Sequence, residues 1–357
     1  MESQPTRNAP APRAQTLPAR WYADPAVYEA ERRHIFARDW QLFARASALA
    51  EPGDYVAETL AGFPIFVLRD RAGELRGFHN VCRHRAARIL EEGAGRTELL
   101  RCPYHGWVYD GEGRLKATPN FGERPGFDRA GYGLFPLRVE TWRGLVFVNL
   151  DLAAGPLADG LGDMARHAAP FPIEEYRFCR RQSYDIECNW KTYIDNYLEG
   201  YHIPLLHPEL NAGIEFRSYR VENGERVCLH RANARDGAAY QGLWLWRYPN
   251  QSFAVYARGM NFTRVLPLSA DRTRLAIDFF FADLAPAATA ANEADMAATC
   301  RVVEEDFPIC RAVQRNLAAG VYAQGPLSPR HEAGLGYFHD LVEAALAEPV
   351  GDLPNSA

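Results

Sequence analysis

Cys82-Arg83-His84 and Cys102-Pro103-Tyr104-His105-Gly106-Trp107, with seventeen residues between them, decide how the first half of this chain folds. Each stretch presents one thiolate and one imidazole from a short loop, and the four together form a ligand set for a metal centre. A structural zinc site accepts the same groups, but zinc fingers pair like with like, two cysteines and then two histidines. One of each per loop suits an asymmetric two-iron, two-sulfur cluster, one iron taking both cysteines and the other both histidines. Imidazoles in place of two thiolates remove negative charge and raise the reduction potential. Pro103 and Gly106 bracket the second loop, as a tight turn with amides close to cluster sulfurs requires.

Working outward, Ile65 to Leu68, a turn over Arg69 to Gly73 and Glu74 to Phe78 read as a hairpin, and Tyr109 to Gly113 gives a second turn of that kind. A small antiparallel β-domain is therefore expected over 42–155. Before it come a flexible arm, 1–20, rich in Pro, Ala, Thr and Gln, and a helical segment, 21–41, opened by Asp24-Pro25 with Val27, Ile35, Phe36 and Trp40 on one face. A Gly- and Pro-bearing linker is expected from Ala153 to Gly162. Beyond it, strands over 181–186, 252–257 and 273–281 and helices over 190–201, 287–317 and 331–346 make 156–357 an α+β domain with an antiparallel sheet.

The 357 residues suit two domains, and 47% hydrophobic content is ample for their cores. A net charge of −5 without a basic stripe gives no sign of nucleic-acid binding. No apolar run reaches the roughly eighteen residues a membrane span needs, and residues 1–20 have no apolar core, so a cytoplasmic protein is expected. Cys179, Cys188, Cys228, Cys300 and Cys310 stand alone and read as buried small hydrophobes.

A second constellation lies in Asn189 to Pro208. On a continuous helix Asp195, Glu199 and His202 fall on one face, and Pro204 should stop that helix so that the chain folds back and brings His207 beside His202. Either histidine alone reads as an ordinary core or surface residue. Paired and flanked by carboxylates, they suit an iron site of two imidazoles and one carboxylate that keeps coordination positions open. The third ligand is expected from Asp306, on a helical face with Val303, Cys310, Val313 and Leu317, where an unpaired carboxylate is costly. A carboxylate in the first turn of a helix is the alternative reading of Asp306. Glu304 and Glu305 lie towards Arg311 and Arg315 and read as solvated, and Pro308 should kink this helix.

Asn80-Val81-Cys82-Arg83-His84-Arg85 with Cys102 to Trp107 resembles the Rieske non-haem iron oxygenases, the aromatic-ring-hydroxylating alpha subunits and their choline monooxygenase-like branch. Leu17-Pro18, Trp21-Tyr22, Phe36, Trp40, Trp190-Lys191 and Asp195-Asn196-Tyr197 extend the resemblance over about 17–345. It implies a Rieske [2Fe-2S] cluster on Cys82, His84, Cys102 and His105, and a mononuclear Fe(II) on His202, His207 and Asp306 in a helix-grip catalytic domain. It also implies a homotrimer in which Glu199, with Asp195 on the same segment a further catalytic candidate, bridges to His105 across the interface. Electrons would come from NAD(P)H through a separate reductase, with or without a ferredoxin, because the chain has no dinucleotide-binding Gly-x-Gly-x-x-Gly turn and no plant-type ferredoxin cysteine spacing.

The implied activity is hydroxylation of a small organic substrate with O2. Ring dioxygenases mostly carry Asp where Glu199 stands, so the resemblance leans to a quaternary amine of the choline, carnitine or betaine type, hydroxylated or N-demethylated. Hydroxylation of an aromatic ring or acid is the alternative, by mono- or dioxygenation. A non-catalytic Rieske electron carrier would not need Glu199, His202, His207 and a second domain. Trp244, Trp246, Tyr248, Phe253, Tyr256 and Phe279 are candidates for the pocket wall, by cation–π or ring contact, or else for plain core.

Overall fold

A computed structural model describes residues 13–235 and 242–348. The first domain contains β1 (Gln41–Arg45), β2 (Asp54–Leu60), β3 (Phe63–Arg69), β4 (Leu75–His79), β5 (Gly93–Arg96), β6 (Leu100–Arg101), β7 (Val108–Tyr109), β8 (Leu115–Ala117), β9 (Pro136–Trp142) and β10 (Leu145–Asn149). They form an antiparallel sheet in the order β1-β10-β9-β4-β3-β2-β5 and a small sheet β6-β7-β8 that carries the second cysteine loop.

The two expected turns are built alike. Asp70 Oδ1 accepts the amides of Ala72 and Glu74, Asp110 Oδ1 accepts those of Glu112 and Arg114, and Gly73 and Gly113 follow at φ +85° and +79°. An Asp that caps its own turn and a glycine in the left-handed region are what a short hairpin loop demands.

The second domain is a seven-stranded antiparallel sheet of β11 (Arg177–Ile186), β12 (Arg220–Gly224), β13 (Val227–Arg231), β14 (Leu243–Arg247), β15 (Gln251–Val255), β16 (Gly259–Ser269) and β17 (Arg272–Phe281), ordered β11-β17-β16-β15-β14-β13-β12. Residues alternate between its faces. One face, with Val227, Leu229, Leu245 and Phe253, packs on Leu42, Leu145 and Phe147 of the first domain. The other, with Cys228, Trp246 and Leu275, is gripped by helices.

The helices, in chain order, are α1 (Pro25–Glu31), α2 (Leu157–Gly160), α3 (Met164–Ala168), α4 (Trp190–Tyr197), α5 (Ile203–Leu206), α6 (Pro208–Gly213), α7 (Thr289–Ala318) and α8 (Ala333–Ala347). Trp190, Tyr193 and Ile194 of α4, Phe307 and Cys310 of α7 and Leu335 and Phe338 of α8 share one core with Tyr22, Ile35 and Phe36 of the N-terminal segment. Glu31, fully buried, takes the Trp190 indole N–H at 2.8 Å and the equally buried Lys191 ammonium at 2.5 Å. An ion pair this deep survives because every charge has partners.

Several expectations change. Residues 1–12 of the expected arm lie outside the described residues, while 13–20 are packed: Arg13 pairs with Glu343, Gln15 bridges to Pro326, and Leu17 is fully buried. The expected linker contains α2, whose Leu157, with Leu161, enters the core between the domains. Pro308 sits inside an unbroken α7. Among the five lone cysteines, Cys188, Cys228 and Cys310 are buried and Cys179 and Cys300 half-buried. No helix among the described residues is long and apolar enough to cross a membrane.

Candidate functional site

The two cysteine loops are twins in backbone. Cys82 N–H donates to Ala87 and Ala86 N–H returns to Cys82; likewise Cys102 N–H donates to Trp107 and Gly106 N–H returns to Cys102. The fifth residue of each loop is left-handed, Ala86 at φ +58° and Gly106 at φ +72°. This holds Cys82 and Cys102 buried, with the Tyr109 hydroxyl 3.3 Å from Cys82 Sγ, and sets the His84 and His105 rings 4.5 Å apart. Nδ1 of both histidines is buried with no hydrogen-bond partner. Two buried thiols and two orphaned imidazole nitrogens fit a cluster with mixed ligation. Trp107 stacks on His84 at 4.8 Å and fixes its plane.

In the second domain His202, His207 and Asp306 bring three ligand atoms within 4.8 Å of one another. Nε2 of His202 and Nε2 of His207 are 3.1 Å apart, and Asp306 Oδ1 lies 3.1 Å from the latter and 3.7 Å from the former. Each histidine is anchored at its other nitrogen: His202 Nδ1 to Glu199 Oε1 at 2.5 Å, and His207 Nδ1 to Glu305 Oε2 at 2.7 Å. A carboxylate only accepts, so both Nδ1 atoms carry the proton and both neutral rings aim lone pairs at the same point. Asp306 Oδ1 is buried without a hydrogen bond of proper geometry. Facing lone pairs and an orphaned carboxylate oxygen are costly unless a cation sits between them. Two imidazoles and a carboxylate on one side are the donor set that suits non-haem iron. Burial pushes His207 down, but Asp306 and Glu305 outweigh it and raise its pKa, the mark of a site that attracts positive charge.

The local fold departs from the one-helix expectation. Helix α4 ends at Tyr197, capped by Leu198, well before Pro204. A Cβ on Gly200 would lie 2.1 Å from the Tyr219 ring, so only glycine lets the chain turn there. Glu199 caps that turn through the amides of Tyr201 and His202. Pro204 falls in the first turn of α5, where its missing N–H costs nothing.

The break also separates Asp195 from the histidines. Asp195 takes the Tyr22 hydroxyl at 2.6 Å and His339 Nε2 at 2.9 Å, tying α4 to the N-terminal segment and α8. It is not among the groups that converge on the ligand atoms. Glu305 is the converse. Read as solvated, it orients His207, while its neighbour Glu304 binds the Tyr184 hydroxyl. Its signal in sequence was adjacency to Asp306, but the partner lies 98 residues away. The buried face of α7 carries Asp306, Phe307, Cys310 and Gln314, whereas Val313 is 40% exposed.

Of the expected pocket aromatics, Trp246 and Tyr248 belong to the core under Phe338, and Phe253 lies on the sheet's opposite face. Trp244 and Phe279 fall in one cross-strand row, Phe279-Asn261-Ala254-Trp244-His230, on the helix-covered face. Tyr256 lies at the end of β15, its hydroxyl 3.5 Å from Asn261 Nδ2.

Comparison with known proteins marks the same two regions. Residues 39–138 match the Rieske [2Fe-2S] domain, and residues 173–348 match the catalytic domain of ring hydroxylating alpha subunits. The chloroplastic choline monooxygenase of Beta vulgaris is 32% identical over 339 residues, covering 91% of this chain and 76% of the relative. The carnitine monooxygenase oxygenase subunit of Escherichia coli K12 is 29% identical, covering 92% of this chain and 93% of that one. The crystal structure of the quaternary ammonium Rieske monooxygenase CntA with L-carnitine superposes with a TM-score of 0.82 at 28% identity, over 93% of this chain and 95% of that one. A naphthalene 1,2-dioxygenase, 19% identical over 94% of this chain and 93% of that one, shares the fold with a TM-score of 0.77.

Proposed function

Because the chain belongs to the Rieske non-haem iron oxygenases, as a ring-hydroxylating-type alpha subunit, we propose that it hydroxylates a small quaternary ammonium compound. The observation that carries the oxygenase part of this reading is the convergence of His202 Nε2, His207 Nε2 and Asp306 Oδ1 with both Nδ1 atoms held by glutamates. Supporting the substrate class are Glu199 in place of the usual aspartate and the choline and carnitine monooxygenases among the relatives.

Cys82, His84, Cys102 and His105 would hold the [2Fe-2S] cluster, and His202, His207 and Asp306 the iron. When bound, the cluster supplies single electrons and the iron the site at which dioxygen is reduced and the substrate oxidised. Around them the chain's own groups set geometry and charge. Tyr109 offers its hydroxyl to Cys82 Sγ, an interaction that lowers the charge density on the sulfur. Glu199 and Glu305 fix ring orientation and raise the basicity of the opposite nitrogens.

Glu199 is also the group through which electrons would reach His202, from His105 of a neighbouring copy in a trimer. The exposed Tyr104 beside His105, and the exposed Tyr201 and Leu205 beside His202, suit such a contact. A separate reductase would deliver electrons from NAD(P)H, in keeping with a relative named as an oxygenase subunit.

The test is oxygen and NAD(P)H consumption with a reductase, against choline, carnitine, betaines and simple aromatic acids. Consumption coupled to an oxidised ammonium compound is expected, and coupling to aromatic acids alone would overturn the amine reading. His202→Ala should keep the cluster's EPR signal and lose turnover. Full turnover in that variant removes the iron assignment.

A further inference from the structure

His230, on β13, is only 8% exposed, and among the described residues its Nε2 has no hydrogen-bond partner. Its Nδ1 lies 2.6 Å from the Tyr219 hydroxyl. Counting donors among the described residues favours one tautomer. If the hydroxyl donates to Nδ1, a single group is left unmet, an N–H at Nε2. If Nδ1 donates instead, both the Nε2 lone pair and the Tyr219 proton go unmet, since that hydroxyl has no other hydrogen-bond partner among the described residues. The first arrangement leaves the fewest groups unmet, and it puts the proton on Nε2.

The surroundings give that donor a purpose. His230 ends the row Phe279-Asn261-Ala254-Trp244-His230 on the sheet face that α4 and α7 cover. The Tyr197 ring is 5.0 Å away, and Tyr219 touches the Gly200 turn that presents Glu199 and His202. The row carries no cationic side chain, so nothing in it would repel an ammonium group. Trp244 stands opposite His230 on the neighbouring strand, and an indole is the kind of ring a trimethylammonium group prefers. A buried N–H without a partner is costly in the free protein and becomes satisfied when an acceptor enters.

We propose that His230 anchors the substrate by donating its Nε2 proton to the substrate's oxygen function, a hydroxyl or carboxylate oxygen, while the ammonium end lies against the aromatic rings of the same face. This rests on the quaternary-amine reading above. It assigns His230 to binding and substrate choice, not to the reaction itself.

The test compares wild type, His230→Leu and His230→Gln, each loaded with cluster and iron. Choline carries only a hydroxyl, γ-butyrobetaine only a carboxylate, and tetramethylammonium, followed as a competitive inhibitor, has no oxygen. His230→Leu should lose about 10–100-fold in kcat/KM for the oxygen-bearing substrate the wild type prefers, mainly through KM. Its inhibition constant for tetramethylammonium should change less than about twofold, and His230→Gln, which keeps an N–H, should recover part of the loss. Whether choline or γ-butyrobetaine shows the loss identifies the oxygen. Equal loss for all three ligands, or a loss that Gln does not relieve, would make His230 a packing residue and overturn the proposal. Unchanged constants in His230→Leu overturn it as well. If the wild type itself acts on no ammonium compound, the amine reading falls first and the anchor with it.

Discussion

A histidine ligates well only when its other nitrogen is held, and here two glutamates do the holding from different parts of the chain. Glu199 is three residues before His202 and acts through a local turn, whereas Glu305 reaches His207 from α7. Glu305→Gln should keep the fold and the cluster signal but weaken iron binding by about 10–100-fold, measured as iron retained against a chelator. A variant that retained iron like wild type would reduce Glu305 to a bystander. In the cluster loops the unusual residue is Ala86, an exposed alanine in the left-handed region where its twin is Gly106. Ala86→Gly relieves that strain and should raise stability by about 0.5–1 kcal/mol, seen as a higher melting temperature with an unchanged cluster spectrum.

At the scale of elements, the hairpin turns show how a sequence signal becomes a structural tie. Burial pushes Asp70 up, but the Glu74 amide, the Arg76 guanidinium and the Ala72 amide outweigh it and hold the carboxyl below its ordinary value of 3.8. A depressed pKa adds stability above the unfolded value and loses it as the pH falls towards the folded one. Asp70→Asn should therefore destabilise by about 1–2 kcal/mol near neutral pH. The gap to wild type, read from urea midpoints, should close as the pH drops below about 3.8. A gap that stayed constant with pH would show that the charge of Asp70 is irrelevant. Helices α7 and α4 have a tie of their own. Gln314 of α7 accepts the Asn189 amide and the Thr192 hydroxyl of α4 and donates to the Tyr22 carbonyl. It thereby fixes the helix that carries Asp306 against the one that leads to His202.

For the whole molecule, the proposed electron route needs more than one copy of the chain. Light scattering should report a trimer of chains that are each 40.1 kDa. Coexpressing a cluster-defective Cys102→Ser chain with an iron-defective His202→Ala chain gives a sharper check. In a head-to-tail ring each mixed trimer has one junction where an intact cluster meets an intact iron site, so random mixing should restore roughly a quarter of wild-type activity. Electron transfer within one chain predicts none. Much of this architecture was legible in the sequence, because its determinants are local. The paired Cys-x-His and Cys-x-x-His loops, the Asp-and-Gly turns and the spacing of His202 and His207 are set by neighbours in the chain and by ligand chemistry. What the sequence left open was decided by contacts between distant elements. Helix α4 ends at Tyr197 and the Tyr219 ring packs against Gly200 just beyond it, while Asp195 is held by Tyr22 and His339. Glu305 becomes a holder of His207 and Glu31 a buried partner of Lys191 for the same reason. The pattern of residues along the chain fixes what each segment can do, but which charges meet in a desolvated interior depends on how α4, α7 and the sheet are packed together.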